Sequence, residues 1–359
     1  MQNNEISSCI IYLRGCFLSK KEKRIFSVFL AVVALFLFVS PYFILPQVYA
    51  GRDNWVQTAP PNSTILELWE IDTFEGGSAS RANFLQKRAI AYQKETLSTY
   101  ILVRSLSLIQ ASIMLSQGQK PDIVSFGIGA GEVFKPFLQP FSSAPTVRGD
   151  LLLCGVEEKN QLAIPWCVGG YCMCIDSDLG EFNTSNFQEL EDKTEKALIG
   201  TGMTYNIPKF ALNDELQSKV IDASFTQYEA YEEYLSNNTF LILLGTQRDF
   251  YRLNKKVDNG VLAPVRYIYL ESYTDLEQCF GICCDGEVRA KAEGFVNFVC
   301  TEASQANLVD IGMFSVLKKP IYSNEYQDFE KAMLTTKKTL NIFTPEANIK
   351  QMQGRESNV

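Results

Sequence analysis

From residue 64 onward the chain alternates short apolar runs with longer amphipathic ones. "TILELWEI" (64–71) is apolar with acidic interruptions and reads as a strand. Between Ser80 and about Gln93, Leu85, Ala89 and Tyr92 recur on one face at helical spacing. "YILVR" (100–104) is a second strand. "SLSLIQASIMLSQG" carries Leu106, Ile109 and Ile113 at helical spacing and closes on Gly118, a C-cap residue. "DIVSF" (122–126) is a third strand. Strand, helix, strand, helix, strand predicts parallel pairing with helical crossovers, hence an α/β fold. Ligands of such sheets sit beyond the carboxyl ends of the strands. Those ends carry "EIDTFEGG" and "FGIGAG", both rich in glycine and small residues.

Farther along the pattern loosens. "LAIPWCVGGYCMCI" (162–175) predicts two short strands broken by Pro165 and Gly169-Gly170. Residues 186–236 read as helical and polar. "TFLILLGTQRDFYRL" (239–253) is a buried strand turning into a helix, "GVLAPVRYIYL" and "LEQCFGICC" are further strands, and "EVRAKAEGFVNFVCTEASQANLVDI" is a pair of helices. The tail from Gln351 is polar.

The N-terminus follows a different pattern. Arg14, Lys20, Lys21, Lys23 and Arg24 precede "IFSVFLAVVALFLFVSPYFIL" (25–45), a 21-residue run without a charge and long enough to span a bilayer. The basic flank predicts that the rest of the chain is exported. "VYAG" places Val48 and Ala50 at the small positions of a signal-peptidase site, so residues 26–50 are a cleaved export signal or an uncut membrane anchor. Residues 51–62 form a polar, proline-containing linker.

The first fifty residues hold 5 basic and 2 acidic residues; of 33 basic and 41 acidic, 28 and 39 remain, a net charge of −11. So acidic an exported domain does not suit nucleic-acid phosphates. The chain has no histidine, which excludes Ser-His-Asp and Cys-His catalysis and the HExxH zinc site. Eight cysteines follow the leader: Cys154, Cys167, Cys172, Cys174, Cys279, Cys283, Cys284 and Cys300. Most lie in apolar runs, where Cys behaves as a small hydrophobe; buried thiols and one or more disulfides both remain open. Cys172 and Cys174 share a strand face, which permits a metal clip, but the CxxC and His signals of zinc are absent, and no metal or cofactor is assigned.

Six pieces in sequence, "LELWEIDTFEGG", "SQGQKPDIVSF", "LAIPWCVGGYCMCIDSDL", "TFLILLGTQRD", "YTDLEQCFGI" and "AKAEGFVNFVCTEASQ", resemble the extracellular solute-binding proteins of bacterial ABC importers, the group that includes maltose-type binding proteins. The resemblance covers roughly residues 62 to 320. It implies a two-lobe periplasmic-binding-protein-like fold (type II), each lobe a mainly parallel sheet flanked by helices, joined by hinge strands. Lobe 1 would comprise residues 63–165 and 262–320. Lobe 2 would comprise 166–261 with a C-terminal helix over 324–342, leaving 343–359 as tail. The crossings would fall near Ile164–Gly170 and Val261–Val265, with Pro165, Gly169 and Gly170 as hinge residues.

The same resemblance implies a binder without catalytic chemistry, a monomer. It would take a sugar, oligosaccharide or uronic acid in the interlobe cleft and pass it to the membrane subunits of an ABC permease. Trp69 matches the family's cleft aromatic, and Phe126 occupies a position where sugar binders place a Trp; an aromatic face suits a sugar ring. Asp72, Thr73 and Glu75 would accept or donate hydroxyl hydrogen bonds, with Gly127, Trp166, Tyr171 and Tyr273 as further contacts. The chain departs from the family at "GTQRD". There Gln247 and Arg248 stand where sugar binders carry aromatics, and an Arg fork suits a carboxylate or phosphate.

Three rival readings are weaker. Gly127, Gly129 and Gly131 with Asp150 mimic a dinucleotide fingerprint, but the third glycine comes one residue early and Asp150 precedes the next apolar run. An extracellular glycoside hydrolase would need two carboxylates at a separation that sequence does not fix. A membrane-tethered sensory domain would share the cleft and differ in partner.

Overall fold

The computed structural model describes residues 63–71, 73, 80–177, 198–199, 209, 212, 214–221, 227–236, 241–270, 275–324, 326–334, 340–346 and 349. Two five-stranded sheets organise the chain. The first contains β1 (Thr64–Ile71), β2 (Thr99–Leu106), β3 (Ile123–Gly127), β6 (Ile164–Val168) and β12 (Glu277–Ile282), in the order β2-β1-β3-β12-β6. The second contains β7 (Tyr171–Ile175), β8 (Leu198–Ile199), β9 (Val220–Ile221), β10 (Ile242–Thr246) and β11 (Arg266–Leu270), in the order β11-β7-β10-β8-β9. A small hairpin of β4 (Val156–Glu157) and β5 (Asn160–Gln161) stands apart.

Capping residues fix the crossover helices of the first sheet. Ser80 caps α1 (Arg81–Thr96), accepting from the Asn83 N–H. Ser107 and Gln110 form a reciprocal capping box on α2 (Leu108–Ser116). Helix α1 covers one face of the sheet and α2 the other. Leu66 and Leu68 therefore pack with Phe84, Leu85 and Trp166, while Trp69 and Ile71 pack with Ala111, Val124 and Phe126. A two-residue crossing, Gly169-Gly170, leads from β6 to β7.

In lobe 2 the described elements after β8 are α3 (Asp214–Ser218), β9, α4 (Gln227–Ser236), β10, α5 (Gln247–Asp258) and β11. The polar stretch expected to be helical thus includes two short strands, β8 and β9, which extend the sheet from β10 in parallel. Edge pairing overrides local polarity there. After β12, α6 (Gly286–Val299) and α7 (Glu302–Gln305) pack on lobe 1. Helix α8 (Tyr326–Leu334) then returns to lobe 2, where Phe329 stacks on Tyr269 at 4.7 Å.

Three boundaries move. Ile342 and Phe343, expected at the end of a lobe 2 helix and the start of the tail, are buried in lobe 1, where the Ile342 N–H donates to the Cys154 carbonyl at 2.9 Å and Phe343 packs on Phe126. Residues up to Val168 still pair with β12, so Trp166 belongs to lobe 1 and not to lobe 2. The return crossing expected near Val261–Val265 lies after Leu270, because all five residues of β11 pair with β7. The physical reason is direction. In both sheets the parallel strands point their carboxyl ends at the other lobe, so the chain can leave lobe 2 only after β11 has run its length. Each sheet contains one antiparallel strand: β7 in lobe 2 and β12 in lobe 1. Both are the strands that have just crossed, entering from the cleft edge and running against their neighbours.

Candidate functional site

The lip of lobe 1 is formed by the carboxyl ends of β1, β3 and β6 and by the start of β12. It is held by a buried polar network centred on Gln278. The Gln278 amide donates to the Ile71 carbonyl at 2.8 Å, to Glu70 Oε1 at 3.2 Å and to Ser125 Oγ at 3.2 Å. Trp166 Nε1 donates to the same Ser125 Oγ at 3.0 Å. Thr73 Oγ1, beyond the end of β1, donates to Gln278 Oε1 at 3.3 Å. Beneath them Arg81, the first residue of α1, lies 3.8 Å from Glu70, both side chains buried. These hydrogen bonds tie the strand ends of the lip to one another inside the lobe.

Gly127 ends β3 in this lip, and close approach explains the residue. A Cβ there would lie 2.2 Å from Thr73 Oγ1 and 2.5 Å from the Glu277 carbonyl oxygen. The glycine lets three strand ends meet.

The lip of lobe 2 comprises Tyr171 at the start of β7, Thr246 and Gln247 at the end of β10, and Leu270 at the end of β11. Thr246 caps α5 with Asp249 in a reciprocal box, the Thr246 N–H donating to Asp249 Oδ2 at 2.9 Å. Arg248 is half-buried in the first turn of α5.

The two lips meet at the connectors. The Gly169 N–H donates to the Leu276 carbonyl at 2.6 Å, tying the outgoing connector to the returning one. The Gly170 N–H donates to Gln247 Oε1 and the Gln247 N–H to the Gly170 carbonyl, both at 3.0 Å. A Cβ at Gly169 would come within 2.9 Å of Leu276 and of the Gln247 amide. Pro165 lies within β6, an edge strand where a missing N–H is tolerated, rather than at the crossing.

Two carboxyl groups are buried at this junction. The Tyr171 hydroxyl donates to Asp275, joining the first strand of lobe 2 to the returning connector. Burial raises Asp275 to about 6 although that hydrogen bond opposes the shift. Glu277 is fully buried, and burial pushes it well above the usual carboxylate range, with Cys154, Asp275 and Asp150 adding to the effect. Burial likewise holds the Tyr171 phenol far above its ordinary value.

The residues named from sequence divide into three groups. Asp72, Glu75 and Tyr273 lie outside the described residues. Thr73, Gly127, Tyr171, Gln247 and Arg248 come together at the two lips. Trp69, Phe126 and Trp166, expected to offer ring faces to a ligand, are 1%, 0% and 0% exposed and belong to the core of lobe 1. Trp166 is stacked on Phe84 at 5.4 Å and on Phe280 at 5.5 Å, Phe126 packs on Phe134, and Trp69 donates its indole N–H to Glu67. Helices cover both faces of the sheet, so these rings have nowhere to turn but inward. Tyr171 and Gln247 are also fully buried, and act at the junction by hydrogen bonding.

The reading from sequence missed Glu70, Ser125, Asp275, Glu277 and Gln278. A signal existed. "DLEQCFGI" opens an otherwise apolar strand with four residues of which three are polar or acidic, and a buried strand does this where its end meets other polar groups.

All eight described cysteines are buried free thiols. Cys154 and Cys279 approach to 3.5 Å between sulfurs, and Cys172 and Cys174 to 3.7 Å. Among the described residues no group of three or more Cys, Asp or Glu is arranged to hold a metal ion. Nor is any described helix long and apolar enough to cross a membrane; the apolar run at 25–45 lies outside the described residues.

No protein-family model and no curated sequence matches the chain. Solved structures do. The GacH receptor of Streptomyces glaucescens, solved unliganded and with acarbose, is 13% identical with a TM-score of 0.56, over 82% of this chain and 92% of that one. The sugar-binding protein MalE of Xanthomonas citri is 12% identical with a TM-score of 0.59, over 81% and 90%. The galacto-N-biose/lacto-N-biose I-binding protein of an ABC transporter from Bifidobacterium longum, solved with lacto-N-biose, is 9% identical with a TM-score of 0.59, over 82% and 90%. At such identities the likeness is one of architecture, and the chain has the two-lobe fold of the sugar-binding proteins of ABC transporters.

Proposed function

We propose that the chain is a non-catalytic solute receptor that captures a small carbohydrate or acidic sugar between its lobes and delivers it to an ABC permease. One observation carries this reading. The carboxyl ends of the parallel strands of two separate sheets face each other across a two-residue glycine connector. A ligand lying between them would touch both lobes at once. Contacts that exist only when both lobes are engaged stabilise the closed form, and closure is then what a permease recognises. Two of the neighbours in fold were solved with acarbose and with lacto-N-biose, which favours a sugar as the guest. Arg248, in the first turn of α5 beside the lobe 2 lip, favours a sugar bearing a carboxylate.

A thermal-shift screen against neutral sugars, oligosaccharides and uronic acids tests the proposal. A true ligand raises the melting temperature with concentration and is recovered chemically unchanged. Turnover of a glycoside would replace the receptor by a hydrolase. Arg248→Ala is expected to weaken a uronate at least about tenfold, roughly 1.4 kcal/mol, and to spare its neutral counterpart. Equal affinity before and after the substitution removes the acidic-ligand part.

A further inference from the structure

The outer edge of lobe 1 has an unusual surface. From Thr96 to Gln119 the only charged residue is Arg104, in a chain with 21% charged residues. Arg104 is itself neutralised, its Nη1 lying 3.1 Å from Glu67 Oε1. This stretch forms β2 and α2. Strand β2 is the edge of its sheet, paired with β1 over all eight residues. Among the described residues no backbone hydrogen bond reaches its other side. Helix α2 packs over β1 and β2 but buries only Ala111. Ile109 is 74% exposed and Ile113 51%; on the strands, Ile65 is 42% and Leu102 41% exposed. Leu102 and Ile65 lie on the α2 side of the sheet, two residues from Arg104 and Glu67 respectively.

Natural proteins blunt an open edge strand with unpaired charges, lysine above all, with proline or with a bulge. Strand β2 has none of these: its sequence is TYILVRSL, and its register against β1 is unbroken. The open row of N–H and C=O groups decides the chemistry of what covers it. Lipid cannot satisfy such groups, whereas a second strand edge pairs with the whole row. In a two-fold arrangement the same patch meets itself, and like charges at matched positions would repel. Here the charges are Arg104 and Glu67, and they pair with each other within one copy. We propose that β2 pairs antiparallel with β2 of a second copy of this chain, with α2 packing beside its mate, to give a two-fold dimer built on a continuous ten-stranded sheet. This departs from the monomer implied by the family resemblance, and leaves the interlobe lips of both copies open.

The test uses the full chain in detergent, with mass measured by sedimentation after correction for bound detergent and β2 followed by hydrogen exchange. Two copies are expected, with slow exchange in the β2 amides. The exposed-site variant Leu102→Lys with Ile109→Lys should keep the wild-type far-UV circular dichroism, weaken association at least about tenfold, and release the β2 amides to fast exchange. A wild type that stays monomeric at about 100 μM overturns the proposal. So does a dimer indifferent to the two lysines, which would place the interface elsewhere. A monomer with protected β2 amides would mean that another segment of the same chain covers the edge.

Discussion

The two sheets share one plan and differ in how their facing ends are held. Each has four parallel strands and a single antiparallel strand that has just crossed from the other lobe. In lobe 1 the cleft end is tied internally: Gln278 gathers Ile71, Glu70 and Ser125, and Trp166 and Thr73 complete the set. In lobe 2 the corresponding end is tied to the connectors, through Gln247 to Gly170 and Tyr171 to Asp275. Lobe 1 thus holds its own lip, whereas lobe 2 holds its lip against the hinge. A movement about the connectors should disturb the polar contacts of the second lip and leave those of the first intact.

The largest effect expected from breaking this contrast comes from the core of lobe 1. Trp166→Ala removes a ring stacked on both sides and strips Ser125 of a donor, and should lower stability by about 3–5 kcal/mol, read by urea unfolding. A loss under 1 kcal/mol would mean that the Trp166 stack does not hold lobe 1 together.

Acidity tests the hinge side. Burial raises Asp275 from 3.8 to about 6 and holds Glu277 above the usual carboxylate range as well. The folded state therefore holds these protons more tightly than the unfolded chain. The stabilisation is complete below about pH 4 and is lost for Asp275 as pH rises through about 6. Melting curves from pH 4 to 7 should show this slope, and Asp275→Asn should flatten it while keeping an acceptor for Tyr171. An unchanged slope in the variant would assign the effect to other groups.

Gly127→Ala probes the first lip directly. Its new methyl meets Thr73 and the Glu277 backbone, so about 1–3 kcal/mol of stability should be lost, together with affinity for any cleft ligand found by thermal shift. Retained affinity would detach the β3 end from the binding cleft. The smallest effect belongs to the second lip, where Thr246→Ala deletes the α5 cap at about 1 kcal/mol. Unfolding midpoints of the two variants, compared side by side, rank the lips.

Much of this architecture was legible in the chain. The runs at 64–71, 100–104 and 122–126 fall within β1, β2 and at β3, and Gly169-Gly170 is the crossing between sheets. The burial of the aromatics was not. In β1 every residue from Leu68 to Ile71 is buried, so an apolar run there carries no sign of which ring meets a cleft. Trp69 and Trp166 look alike in sequence to rings that stack on a sugar, and only the helices on both faces of the sheet show that they are core.

The sequence by itself determined the order of elements, the parallel crossovers and the glycine break, because periodicity, caps and turn residues act over a few positions. The tertiary structure alone decided where the chain returns to lobe 1, which polar residues gather at the lips, and which edge remains open. Those depend on strand direction and on residues such as Glu70 and Gln278 that lie 208 positions apart, and no local pattern encodes a meeting at that distance.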